Sequence, residues 1–184
     1  MDVASLDIPD VKMITPRVFG DSRGYFMETF SRSSFETAGI IEDWVQDNQS
    51  LSRPAGTVRG LHYQIPPFAQ AKLVRVLAGR ILDVVLDLRR QSLSFGKFAT
   101  VELSADSFQQ IYIPVGFAHG FCTLEPETVI AYKTSAIYAP QHERAVRWND
   151  PSLGIPWPKG AGSVLSPRDE AAPVLSAVTD LFDL

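Results

Sequence analysis

The sequence predicts an all-β fold, a double-sheet jelly roll or small barrel with a few short helices. Three observations lead there: apolar residues recur with a period of two, their runs are short, and clusters of Gly, Pro, Asp and Ser separate them. Many short strands with little helix bury a core as packed sheets, whose interior is either filled by side chains or left open as a ligand cavity.

Strands are expected at residues 11–18, 25–30, 44–51, 58–64, 72–78, 81–88, 98–103, 109–114, 120–124, 128–134 and 145–148, where β-branched, aromatic and aliphatic residues gather. Gly79-Arg80 and Asp106-Ser107 supply tight turns between neighbours. A short helix is expected at 33–38, with Ser33 and Glu36 at capping-box spacing and Gly39 free to take the left-handed terminus. The stretch 169–178 is a second candidate helix.

A chain of 184 residues encloses a single sizeable core, so one domain spanning 1–184 is expected, without linker or repeat. The net charge of −4 offers no general attraction for nucleic acid; an anionic ligand would need a local cluster of arginines and lysines. The lone cysteine, Cys122, cannot form an internal disulfide and reads as a small apolar residue packed in a strand. No charged segment leads into an apolar one at the N-terminus, and no apolar run approaches the roughly 18–20 residues of a membrane helix. A soluble, cytoplasmic protein is expected.

Only three histidines occur, and two stand on apolar, strand-like segments, in Arg59-Gly60-Leu61-His62-Tyr63-Gln64 and Pro114-Val115-Gly116-Phe117-Ala118-His119-Gly120-Phe121. Histidine titrates nearest neutrality, which makes such placements candidates for proton transfer or metal ligation. Strand parity adds two partners. Lys72 shares a face with Val74 and Val76, and Tyr132 shares one with Ile130, so both are expected to look inward while Lys133 points away. Taken singly, Lys72 reads equally well as snorkelling at a strand end and Tyr132 as a core ring. Several titratable groups converging on one interior shift the balance toward acid/base catalysis.

The Pro-x-Gly-x-x-His phrase at 114–119 resembles the second histidine motif of the cupin superfamily. Metal-binding cupins usually carry a His-x-His pair in the first motif; here that stretch reads His62-Tyr63-Gln64, so a cage of three histidines and a glutamate cannot be completed. His142, in Pro140-Gln141-His142-Glu143-Arg144, is expected to be solvated. No metal is expected.

A closer resemblance follows from Gln46-Asp47-Asn48-Gln49-Ser50, Arg59 to Gln64, Lys72-Leu73-Val74-Arg75-Val76, Phe117-Ala118-His119-Gly120-Phe121 and Arg147-Trp148-Asn149-Asp150-Pro151. In that order they resemble the dTDP-4-dehydrorhamnose 3,5-epimerase family, over nearly the whole chain from about Ile8. The resemblance implies a cofactor-independent isomerase that inverts C3 and C5 of dTDP-4-dehydro-6-deoxy-glucose, both next to the C4 ketone. Removing a proton beside a carbonyl needs a base on one ring face, stabilisation of the enolate oxygen and an acid on the other face.

By the resemblance His62 is the base, Asp169 its orienting carboxylate, Tyr132 the acid, and Lys72 the cation at the C4 oxygen with His119 beside it. The implied substrate-binding residues are Arg23, Phe26, Glu28, Gln46, Asn48, Arg59, His119, Tyr138, Glu143 and Arg168. Arginine forks suit a diphosphate, and an aromatic with Glu28 suits a thymine and its imide N–H. A homodimer is implied, with the N-terminal segment carrying Arg23, Phe26 and Glu28 into the neighbour's site. The chain departs from the family in having Arg168 where lysine is common, and Ser135-Ala136-Ile137 after the implied acid. Epimerisation of one carbon only is the alternative this leaves open, with a metal-dependent cupin enzyme behind it.

Overall fold

The alternating pattern resolves into thirteen strands in the computed structural model, which describes residues 1–184. The N-terminal third holds β1 (Asp2–Ser5), β2 (Lys12–Thr15), the hairpin β3 (Val18–Asp21) and β4 (Gly24–Met27), helix α1 (Arg32–Thr37) and β5 (Gln46–Ser52). The centre is β6 (Val58–Gln64), β7 (Lys72–Ala78), β8 (Arg80–Asp87), β9 (Phe98–Ser104), β10 (Gln110–Ile113), β11 (Phe117–Thr123) and β12 (Thr128–Thr134). Strand β13 (Glu143–Ala145) and helix α2 (Pro167–Glu170) follow. No helix is long and apolar enough to cross a membrane.

Two antiparallel sheets carry the fold. One has six strands in the order β1-β2-β10-β7-β12-β5, the other five in the order β13-β6-β11-β8-β9, and β3-β4 stands apart as a ribbon. This is the expected all-β double-sheet jelly roll, cupin-like in architecture. Val74, Val76, Ile81, Val85, Phe117, Phe121 and Ile130 fill the space between the sheets. Both outer faces are also covered in part: Leu61, Val84 and Leu86 pack with Phe182 from the C-terminal segment, and Ile14, Leu73 and Tyr112 pack with Phe35 of α1. That double burial explains why β8 carries apolar residues on both faces, Ile81 and Val85 on one and Leu82, Val84 and Leu86 on the other.

Several boundaries differ from the expected ones for local reasons. The expected strand 11–18 is two strands, because Pro16 cannot donate to a ladder and the chain turns from β2 into the ribbon there. β1 lies outside the expected strands; it is short and mostly exposed, and it is ordered by pairing with β2 and by Val3 packing against the Ile14 and Phe35 cluster. α1 begins one residue after Ser31, not at a Ser33 cap, and the Ser31 side chain makes no capping bond, although Gly39 does take a positive φ of 78°. The expected helix 169–178 is two short turns, α2 and a 3-10 turn at Leu175–Ala177, because Pro173 lies between them. Strand 120–124 starts earlier, at Phe117, which puts His119 inside a strand, and strand 145–148 lies instead at Glu143–Ala145. Cys122 is fully buried, and burial pushes its thiol up to about 11. His142 is not solvated: it is half-buried, with its ring 4.8 Å from that of Phe68 and Nδ1 buried without a partner.

Candidate active site

Between the two sheets, a cavity of about 480 Å³ replaces side-chain packing at one end of the jelly roll. Arg59 and His62 of β6 and His119 of β11 enter from the five-stranded sheet; Lys72 of β7 and Tyr132 of β12 enter from the six-stranded sheet. Segment 164–169 forms a third wall with Val164, Ser166, Arg168 and Asp169. It is tied down by Val58, whose N–H donates to the Val164 carbonyl at 3.1 Å.

The two histidines meet because β6 and β11 are antiparallel and His119 stands directly opposite His62. Gly60 makes that approach possible. Its φ is 129°, and a Cβ there would lie 2.5 Å from Gly120 Cα and 2.8 Å from the His119 carbonyl oxygen. Next to it, Nε2 of His62 is bonded to Oδ1 of Asp169. Asp169 is 2 % exposed and held by α2, where Ser166 Oγ accepts from the Asp169 N–H at 3.1 Å and Pro167 occupies the first turn. Burial would raise the Asp169 carboxyl, but the His62 bond and charge outweigh it and hold it below the usual range.

His119 forms a second histidine–carboxylate pair, its Nε2 2.7 Å from Oδ2 of Asp83, and both residues are buried. Lys72 points inward as parity predicts, and its Nζ donates to the His62 carbonyl at 3.2 Å. Burial pulls its pKa down to about 8, partly offset by the charges of Glu143 and Asp83. Tyr132 faces the same interior beside Ile130; burial first, then the Glu143 charge, raises its hydroxyl, so it keeps its proton through neutral pH.

At the rim, Arg168 pairs with Oε2 of Glu143, which also accepts from the Tyr138 hydroxyl at 2.6 Å. Burial opposes ionisation of Glu143, yet the Arg168 and Tyr138 bonds prevail and lower it. Gln46 Oε1 accepts from the Tyr138 N–H at 2.9 Å, and Gln46 donates to Asn48 at 2.8 Å. Asn48 stands opposite Tyr132 across β5 and β12. Arg59 is set by bonds to Ser52 Oγ and the Leu51 carbonyl, each 3.1 Å. The departing segment Ser135-Ala136-Ile137 is fastened through Ser135 Oγ, which accepts from Ala71 N–H at 2.8 Å, and through the Ala136 and Ile137 carbonyls, which accept from Gln70 and Gln64. It delivers Tyr138 to Glu143.

Of the expected site residues, His62, Lys72, His119, Tyr132, Asp169, Arg59 and Arg168 line the cavity, while Gln46, Asn48, Tyr138 and Glu143 form the bonded rim. Arg23, Phe26 and Glu28 do not reach this cavity within one chain. Arg23 pairs with Asp21 on the ribbon, Phe26 is 69 % exposed, and Glu28 accepts from Ser34 Oγ at 3.2 Å. Sequence reasoning missed Asp83 and Ser166. Asp83 had a signal, a carboxylate at inward parity within Ile81-Leu82-Asp83-Val84-Val85. Gln64, standing where a metal cupin would place a histidine, is buried and engaged: its amide donates to the Phe68 and Ile137 carbonyls and its oxygen accepts from the Ala139 N–H.

A jelly-roll cavity with histidine–carboxylate pairs on one wall and a tyrosine and a lysine on the other defines a cupin-like acid–base enzyme. Residues 5–177 match the family model described as dTDP-4-dehydrorhamnose 3,5-epimerase, and the chain belongs to that family. It is 50 % identical over 171 residues to the dTDP-4-dehydrorhamnose 3,5-epimerase of Sinorhizobium fredii, covering 93 % of this chain and 88 % of that one. The crystal structure of the Bacillus anthracis enzyme with TDP and PPi bound is similar, with TM-score 0.91 and 46 % identity over 95 % of this chain and 99 % of that one. The Legionella pneumophila dTDP-6-deoxy-D-glucose-3,5-epimerase in complex with dTDP-4-keto-L-rhamnose has TM-score 0.94 and 40 % identity, covering 100 % and 98 %. The chain is thus an epimerase, an isomerase by reaction class.

Proposed function

We propose that the protein inverts C3 and C5 of dTDP-4-dehydro-6-deoxy-D-glucose, giving dTDP-4-dehydro-L-rhamnose. The observation that carries this reading is the placement of His62 and Tyr132 on opposite sheets across one cavity. A sugar ring between them has a base on one face and a proton donor on the other. Protons at C3 and C5 are acidified by the C4 ketone; each is removed by His62, and the electron pair moves onto the C4 oxygen. Lys72 and His119 bind that oxygen more strongly as its charge grows, which lowers the barrier rather than only tightening binding. Tyr132 then protonates the carbon from the other face, and solvent restores the proton on Tyr132 and removes the one on His62.

Asp169 keeps the His62 ring oriented and favours its charged form during the step. Acid and base together supply about 10²- to 10⁴-fold. Arg59 and Arg168 suit the diphosphate, and Tyr138, Glu143, Gln46 and Asn48 form a bonded polar rim for the substrate beside Arg168. Residues 1–184 act as one domain, and the protein works as a soluble cytoplasmic homodimer. The ribbon supports the dimer: Phe19, Tyr25 and Phe26 are 50 %, 59 % and 69 % exposed, a concentration of aromatic surface that a partner would cover. In that arrangement Arg23, Phe26 and Glu28 complete the neighbour's site, and a stable, active monomer in sedimentation would contradict it.

The test is NMR of the substrate incubated with the protein in D₂O, with His62→Ala as control. Deuterium entering at both C3 and C5, and lost in the variant, is the expected result. Entry at one carbon would make the protein a mono-epimerase, and entry at neither would refute the reading.

A further inference from the structure

Asp83 sits at the centre of β8 with no exposed surface, on the face it shares with the core residues Ile81 and Val85. Its neighbours across the ladders are Phe121 and Val101. One carboxylate oxygen is bonded to His119 and the other, Oδ1, is buried with no partner. A carboxylate half-satisfied in an apolar core costs stability that an apolar residue there would avoid, and such local violations point to function. The only groups it serves face the cavity. His119 spends Nε2 on Asp83, so Nδ1 is the ring nitrogen left for a molecule in the site. Lys72 has no carboxylate of its own, only the His62 carbonyl, and His62 stands directly opposite His119.

We propose that Asp83 is a positioning residue of this site: it holds His119 through Nε2 so that Nδ1 meets the sugar, and its buried charge acts with that of Glu143 in favour of the Lys72 ammonium. The inference rests on the epimerase reading, in which both groups bind the C4 oxygen. Lys72 is faced by His62 and Arg59 from β6, His119 from β11 and Tyr132 from β12. Glu143 from β13, and Arg168 and Asp169 from α2, complete its surroundings. Among these and Asp83, the charges of Glu143 and Asp83 favour the ammonium against the burial that lowers it to about 8. Removing the Asp83 charge therefore makes Lys72 lose its proton at a lower pH.

The experiment is Asp83→Asn, nearly equal in size, assayed as kcat and KM across pH with the unaltered protein alongside. The expected result is a fall in kcat of roughly 10²-fold, the scale of one oxyanion-binding group, with KM little changed and the alkaline limb of kcat moved to lower pH. An unchanged kcat and limb would overturn the inference. So would activity lost with the limb in place, because the charge of Asp83 would then not act on Lys72. Should the variant fail to fold, long-range ¹H–¹⁵N NMR of His119 in the unaltered protein decides: a proton on Nε2 supports the inference and a bare Nε2 overturns it. Failure of the epimerase reading looks different, since the unaltered protein would then exchange neither C3 nor C5 protons.

Discussion

Replacing Lys72 by methionine separates what the lysine costs the fold from what it gives the reaction. Its ammonium lies in the cavity wall between the sheets, and burial takes its pKa from the usual 10.5 to about 8. That difference corresponds to about 3 kcal/mol of unfavourable free energy for keeping the charge in the folded state. The side chain retains some contact with the water of the cavity, so solvent screening reduces the figure, and about 1–3 kcal/mol is the expected gain in stability for Lys72→Met at pH 7. Between pH 8 and 10.5 the unfolded chain holds this proton while the folded one has released it, so the stability of the unaltered protein rises with pH there. The gap to the variant should close over the same window. Urea titration at pH 7 and pH 10, followed by tryptophan fluorescence, measures both numbers. Activity should move the other way, with kcat falling about 10²- to 10³-fold as the charge at the C4 oxygen is lost. A variant no more stable at pH 7, or a gap that stays constant with pH, would refute the assignment of Lys72 as a desolvated cation. A variant that kept its kcat would refute its role in the reaction.

Two further perturbations address the opposite wall and the acid. Asp169→Asn should lower kcat by at least about 10²-fold, because an amide can hold the wrong His62 tautomer. Since the Asp169 carboxyl lies below its unfolded value, its stabilisation is present above the unfolded pKa of 3.8 and lost as pH falls through the folded one; acid titration of unfolding should show that loss only in the unaltered protein. Tyr132→Phe should leave deuterium exchange at C3 and C5 in D₂O while abolishing inversion, since the His62 face is intact. NMR that found inversion at the normal rate would assign the acid elsewhere.

The parts of this site that were legible in the sequence are those decided within one strand. Lys72 and Tyr132 point inward because side chains alternate, and the ladder of β7 on β12 is regular over Lys72–Val76 and Ile130–Thr134, clear of its irregularity between Val129 and Ile130. What was not legible depends on which strands become neighbours and in what register. The contact of His62 with Asp169 spans 107 positions, and it needs a proline-started turn of helix docked against β6, where periodicity suggested one long helix through Pro173. The pairing of His119 with His62 is a register of β6 on β11, which shifts between His119 and Phe121 and could not be counted from either motif. Motif resemblance implied the His62–Asp169 pair and named both histidines, but it did not contain the register that sets His119 opposite His62. Asp83 shows the converse. No motif contained it, yet its inward parity in an apolar strand was visible, and only the structure reveals that its partner is His119. A carboxylate that breaks the pattern of a buried strand is therefore as strong a pointer to a site as a histidine in a motif, because burying it uncompensated is what folding alone would avoid.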